Sequence, residues 1–305
     1  IAFDTIMVFE GRFKDQILPD QVHILNVAFL VPTLRKDWGG CAGNIAYSLK
    51  MLGGNPVPMA AIGHDASGYV ERFKKLGIET ANLRPIESEF TAQAFITTDL
   101  DDNQITAFHP GAMSHSHLNK ISDATDIGLG IIAPDGRDGM IQHAEQFAAA
   151  GIPFVFDPGQ GLPMFGGEEL NHFLNLATYA AVNDYEAKML CDKTGMTLEQ
   201  IASKLEALVV TRGAEGSWIF TGGQRHDIPC VKAEAVVDPT GCGDAYRGGL
   251  LYGLAEGMPL QEAAKLASLM GSIKIAHRGG QTHQVTREEV AARYEAAFGH
   301  QPWAN

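Results

Sequence analysis

From Ile127 to Thr211 the chain repeats one pattern, a short apolar run followed by a longer amphipathic stretch, and few folds accept that order. The apolar runs are Ile127–Ala133, Phe154–Phe156, Tyr179–Val182 and Leu208–Thr211, with helices expected near Asp138–Ala150, Glu168–Asn175 and Tyr185–Leu190 between them. Uninterrupted apolar strands are buried on both faces, and strand–helix–strand order joins parallel neighbours. An α/β chain with a mostly parallel sheet and helices on both faces follows. In such sheets ligands gather at the carboxyl ends of strands, where Asp157, Asn183, Thr211 and Asp238 fall.

Ahead of that core, Asp4 interrupts the apolar run Ile1–Val8, and Gly39-Gly40-Cys41-Ala42-Gly43-Asn44 leads into a helical pattern through Ile45, Leu49 and Leu52. A buried strand is expected over Pro56–Ile62 and a helix over Ser67–Leu76. Between Phe90 and Phe108 polar and apolar residues alternate around Asp101-Asp102-Asn103, the pattern of a hairpin. Val22–Thr33 has similar strand character, and the two stretches are expected to pair as a small sheet outside the main core. The chain starts at Ile1 without an initiator Met, which leaves room for native residues ahead of it.

The 305 residues, 45% of them hydrophobic, can bury a large core, as one domain with an appendage or as two. A net charge of −13 with no basic run longer than Lys74-Lys75 or Arg35-Lys36 argues against nucleic acid as a partner. Cys41, Cys191, Cys230 and Cys242 lack zinc or CxxC spacing and read as free thiols of a reducing compartment, the cytoplasm. No apolar run reaches the length of a membrane span.

Chemistry is concentrated in Val237-Asp238-Pro239-Thr240-Gly241-Cys242-Gly243-Asp244-Ala245-Tyr246-Arg247. Pro239 and Thr240 close an extended run, and the two glycines let consecutive amides turn inward at the start of a helix marked by Tyr246, Leu250, Leu251 and Leu254. A helix N-terminus presents orphan donors and partial positive charge, which suits a phosphate in transfer. Asp244 in such a place repels substrate phosphate unless it has a task, and accepting a proton from an attacking hydroxyl is one. Helix capping is the alternative account of it.

Other motifs narrow the field. No Gly-Lys dipeptide exists to complete a Walker loop. Gly128–Ala133 matches GxGxxA, but it lies in a strand and Pro134 blocks the helix a dinucleotide site needs. His115 and His117 lack a third metal ligand nearby. Asn183-Asp184-Tyr185-Glu186 reads either as a capping box or as a place where Glu186 holds the water shell of Mg²⁺.

Taken in order, Gly39-Gly40 with Asn44, Gly63–Gly68, Asn183-x-x-Glu186, Thr211-x-Gly213 and Asp238–Asp244 resemble the ribokinase-like (PfkB) carbohydrate kinase family over nearly the whole chain. Within it, Ala28–Val31, Pro110-Gly111-Ala112-Met113 and Arg247 look most like prokaryotic adenosine and nucleoside kinases. The resemblance implies one three-layer α/β/α domain over 1–305, with insertions at about 10–37 and 88–109 forming a small β lid and a homodimer interface. It implies ATP-dependent phosphorylation of a nucleoside 5′-hydroxyl, adenosine first, a sugar kinase or a nucleoside sensor being the alternatives.

Residue by residue, it makes Asp244 the base and the Gly241, Cys242 and Gly243 amides the anion hole. Asp4, Gly39, Gly40 and Asn44 meet the sugar, and Asn183, Thr211, Gly213, Gly216, Thr240, His277 and Gly280 meet the nucleotide. Glu186 serves Mg²⁺, and Asp238 with Thr240 resembles a monovalent cation site, usually for K⁺, that some members of the family do without. Arg247, one turn past Asp244, is expected on the transferring phosphate, with an ion-paired arginine as the alternative. Phe29, Phe95 and Phe108 are candidate flat surfaces for a base and Gln160 a polar contact, although each aromatic alone fits a core equally well.

Overall fold

The computed structural model describes residues 1–17, 23–24, 26–101 and 103–303. The chain runs through β1 (Ala2–Val8), α1 (Phe13–Gln16), β2 (Thr33–Gly39), α2 (Cys41–Met51), β3 (Ala60–Gly63), α3 (Ser67–Leu76), β4 (Leu83–Ile86), β5 (Ala92–Thr98) and β6 (Gln104–His109). Strand and helix then alternate as β7 (Gly130–Ile132), α4 (Arg137–Ala150), β8 (Phe154–Phe156), α5 (Gly167–Leu176), β9 (Tyr179–Asn183), α6 (Asp184–Thr194), α7 (Leu198–Ala202) and β10 (Ala207–Thr211). The chain continues with β11 (Ser217–Thr221), β12 (Gln224–Ile228), α8 (Cys242–Ala255), α9 (Leu260–Ile275) and α10 (Arg287–Phe298).

Six strands form one sheet in the order β12-β11-β10-β9-β8-β7. Its first four members in sequence, β7 to β10, are parallel, and β11 and β12 add on antiparallel. Successive side chains of a strand point to opposite faces, and the two cores follow that rule. Phe154, Phe156, Val182, Leu208 and Val210 pack with α4 to α7, through Phe147, Phe173, Leu190 and Ile201. Val155, Ala181, Val209 and Ile219 instead meet Ile45 of α2, Tyr246 and Leu250 of α8 and Ala263 and Ala267 of α9. The result is a mixed central sheet with helices on both sides.

The expected pairing of the two N-terminal stretches needs correction. β1 lies between them in a separate sheet ordered β2-β1-β5-β6, antiparallel to β2 and parallel to β5. The strand begins at Thr33, opposite Val8 where β1 ends, so residues 26–32 form no strand. Val22, Leu25 and the hairpin residue Asp102 lie outside the described residues. Among the described residues, no helix is long and apolar enough to cross a membrane.

Candidate active site

Asp244 sits in the first turn of α8, and Gly241 before it takes a left-handed φ of 75° that swings the chain into the helix. The Cys242 N–H donates to Pro239 O at 3.1 Å and is therefore committed within the loop. Among the described residues, the Gly241 and Gly243 amides have no hydrogen-bond acceptor. The open donors of the expected anion hole are thus those two, with the unmatched N-terminal end of α8 behind them.

Opposite that helix, α2 begins one residue after β2 and places Asn44 in its first turn. Asn44 Nδ2 donates to Asp244 Oδ2 at 2.8 Å, and Asn44 Oδ1 accepts from Gln281 Nε2 at 3.1 Å. Gln281 also bonds the Tyr69 hydroxyl, which donates to Gly39 O at 2.8 Å. A buried chain of side chains therefore runs from the end of β2 to the candidate base. Gln281 and Tyr69 had no sequence signal, because each matters only through partners more than 200 residues away or in another layer.

Asp4 reaches the same place from β1. A side chain at Gly39 would run into its carboxylate, and one at Gly280 would run into Asn44, so both glycines are there for close approach. Burial lifts the Asp4 carboxyl to about 6, helped by Asp37, its cross-strand neighbour, and by Asp244. Burial likewise lifts Asp244 to about 6, against the pull of the Asn44 hydrogen bond and with a push from Asp157. Burial holds the Cys41 thiol well above the ordinary range, with the Asp244 and Asp157 charges pushing the same way, so it remains S–H.

Arg247 takes the ion-paired arrangement rather than the phosphate-facing one. Its Nε and Nη2 meet the two oxygens of Asp157 at 3.1 and 3.0 Å, and it is 5% exposed. One turn along α8 buries this side chain, while Asp244 stays partly exposed. The pair is felt on both sides, by Asp244 and by Glu186.

Asn183 and Glu186 form the reciprocal capping box of α6, with Asn183 Oδ1 accepting from Glu186 N at 2.7 Å and Glu186 Oε2 from Asn183 N at 2.8 Å. Thr211 lies beside Asn183 in the parallel register of β9 and β10, and Gly213 and Gly216 make the turn after it, both at positive φ. His277 caps α9 through Ile273 O at 3.0 Å. The Asp238 carboxylate accepts from Thr240 N at 2.9 Å and from Gly279 N at 2.8 Å.

The three candidate aromatics do not act together. Residues paired across neighbouring strands share a face, and Asp4, Ala94 and Phe108 are so paired, while Phe95 pairs with Thr5 and Ala107 on the opposite face. Phe29 packs against Phe9 and Phe13 at 4.9 and 5.0 Å. Of the two strand residues, Phe108 is thus the one on the Asp4 face. Gln160 is exposed in the turn after β8.

The fold, the open amides at a helix N-terminus and a raised carboxylate held beside them define a phosphotransferase with an alcohol group as acceptor. The model of the pfkB family of carbohydrate kinases matches residues 12–287, and the chain belongs to that family. Its architecture is the ribokinase-like fold. Burkholderia thailandensis nucleoside kinase in complex with inosine is 54% identical and superposes with a TM-score of 0.91, covering 100% of this chain and 98% of that one. The ADP-inosine complex of the same enzyme gives 56% identity and a TM-score of 0.89, over 100% and 96% of the two chains. A nucleoside kinase of Methanocaldococcus jannaschii is 34% identical over 274 residues, 88% of this chain and 89% of the relative.

Proposed function

We propose that this chain transfers the γ-phosphoryl group of ATP to the 5′-hydroxyl of a purine nucleoside, adenosine or inosine, releasing the nucleoside 5′-monophosphate and ADP. The reading is carried by the likeness, over the whole chain, to an enzyme solved with inosine and with ADP-inosine. In it, Asp244 takes the proton of the attacking hydroxyl. A carboxyl raised to about 6 is a stronger base than an ordinary one yet still ionised at neutral pH, and the Asn44 bond holds it in one orientation. The Gly241 and Gly243 amides and the α8 dipole meet the charge on the moving phosphoryl group.

Asp4 and Asn44 bind ribose hydroxyls, with Phe108 beside the base. Asn183, Thr211, Gly213, Gly216, His277 and Gly280 line the nucleotide end. Glu186 is suited to Mg²⁺ because its Oε1 has no protein partner among the described residues, and a hydrated Mg²⁺ needs few ligands; held there, the ion would neutralise phosphate charge. The sheet of β2, β1, β5 and β6 closes over the substrate and excludes water, and β6, exposed along its length, offers a surface for a homodimer.

ADP release at equal concentrations of adenosine, inosine, ribose, fructose and fructose 6-phosphate tests the reading, with the product identified by ³¹P NMR. A purine nucleoside 5′-monophosphate is the expected product. Preference for a free sugar overturns the substrate class, and nucleoside binding without ADP release overturns the enzyme.

A further inference from the structure

The resemblance that places K⁺ beside Asp238 and Thr240 meets residues that do not fit it. Lys274, in the last turn of α9, is fully buried, and its Nζ donates to Asp238 O at 2.7 Å and to His277 O at 3.0 Å. Those carbonyls belong to separate segments, one running into α8 and the other leaving α9. The Asp238 carboxylate is also committed, Oδ1 to Thr240 N and Oδ2 to Gly279 N, with the Arg35 guanidinium 3.7 Å from Oδ2. A K⁺ ion at this place competes for oxygens already taken and sits beside two like charges.

We infer that the Lys274 ammonium is a tethered replacement for the monovalent cation, a positioning residue that clamps segment 238–241 to segment 277–280 without K⁺. The backbone supports the same clamp, since Ile275 O accepts from both Val237 N at 2.9 Å and Asp238 N at 3.1 Å. Burial pulls the Lys274 ammonium below its ordinary range, and the two carbonyls bonded to Nζ, with Asp238 and Asp244 nearby, offset that cost and favour its charge. The clamp matters because Gly241 and Gly280 lie on its two segments and pack against each other and Asn44. A shift of either segment moves the open amides relative to Asp244. A tethered cation is always present and needs no ordering from solution.

The kinetic half of this inference rests on the nucleoside kinase reading; the melting half needs no substrate. For the wild-type chain, initial rate with ATP and inosine or adenosine, and melting temperature without ligands, are compared in KCl and choline chloride at matched ionic strength. Rates within about twofold and equal melting temperatures are expected. K⁺-specific activation beyond about fivefold, or a K⁺-specific rise in melting temperature, overturns the inference. Lys274→Met is expected to lose about tenfold or more in kcat with little change in nucleoside KM. It is expected to regain part of that rate with KCl or methylammonium chloride, and to acquire a K⁺-dependent melting temperature that the wild type lacks. A variant with wild-type kcat and no cation response overturns the positioning role. If the variant does not fold, the wild-type salt comparison decides alone. If no substrate in the panel turns over, the melting comparison still decides the cation question.

Discussion

Asn44 Nδ2 and Asp244 Oδ2 lie 2.8 Å apart across 200 residues of sequence, so the carboxylate that faces the open amides is oriented from a different helix. Replacing Asp244 with Asn removes the proposed base and keeps the shape. It is expected to lower kcat by about 10²–10⁴ while nucleoside affinity stays within a few-fold. Asn44→Ala is expected to cost less in kcat and to raise nucleoside KM as well. Steady-state kinetics beside equilibrium nucleoside titration checks both, and near wild-type turnover in Asp244→Asn removes Asp244 from the chemistry.

Asp4 and Asp244 together set a pH signature. With Asp244 raised to about 6, kcat/KM is expected to climb as pH passes through about 6 and to level off above it. Stability runs the other way. Asp4 and Asp244 bind protons more tightly folded than unfolded, so each costs nothing below about pH 4, and the cost grows to its full value above about pH 6. Asp4→Asn is thus expected to gain about 1–3 kcal/mol at pH 7.5 and almost nothing at pH 4, by urea unfolding at both. An equal gain at both pH values contradicts the charge origin.

Gly39 tests the geometry of Asp4 without touching its charge. A methyl group at Gly39 lands on the Asp4 carboxylate, whereas one at Gly128 meets nothing within 4 Å. Gly39→Ala is expected to raise nucleoside KM by about tenfold or more, since a displaced charged contact loses about 1.5–3 kcal/mol. Gly128→Ala is expected to leave KM unchanged. Equal kinetics for the two variants separates Asp4 from substrate binding.

The Asp157–Arg247 pair, with side chains 7% and 6% exposed, is expected to show the asymmetry of a buried charge pair. Asp157→Ala leaves a buried guanidinium unpaired and is expected to cost about 3–5 kcal/mol, while Asp157→Ala with Arg247→Met is expected to cost less than the single change. Denaturant unfolding of the three chains checks this. A double variant less stable than Asp157→Ala contradicts the pairing.

The strand and helix order from Gly130 to Thr211 was open to sequence reasoning, because uninterrupted runs such as Phe154-Val155-Phe156 signal a doubly covered strand and their spacing leaves room only for crossover helices. The loop Asp238–Asp244 was legible for the same local reason: glycines, a helix start and two carboxylates lie within seven residues. Strand neighbours were not legible. That β1 separates β2 from β5 depends on a parallel pairing between residues 90 apart, and this pairing puts Phe108 on the Asp4 face and Phe95 behind it. Nor does helical spacing reveal that Arg247 turns onto Asp157, or that Lys274 ends on two backbone carbonyls. Periodicity and glycine placement report what a segment does by itself, and from those the sequence determined the strand–helix order of the central sheet and the loop with its carboxylates. Charges and hydrogen bonds find their partners by burial and proximity, so only the tertiary structure decided which carboxylates are raised, which amides stay open and which cation holds the loop.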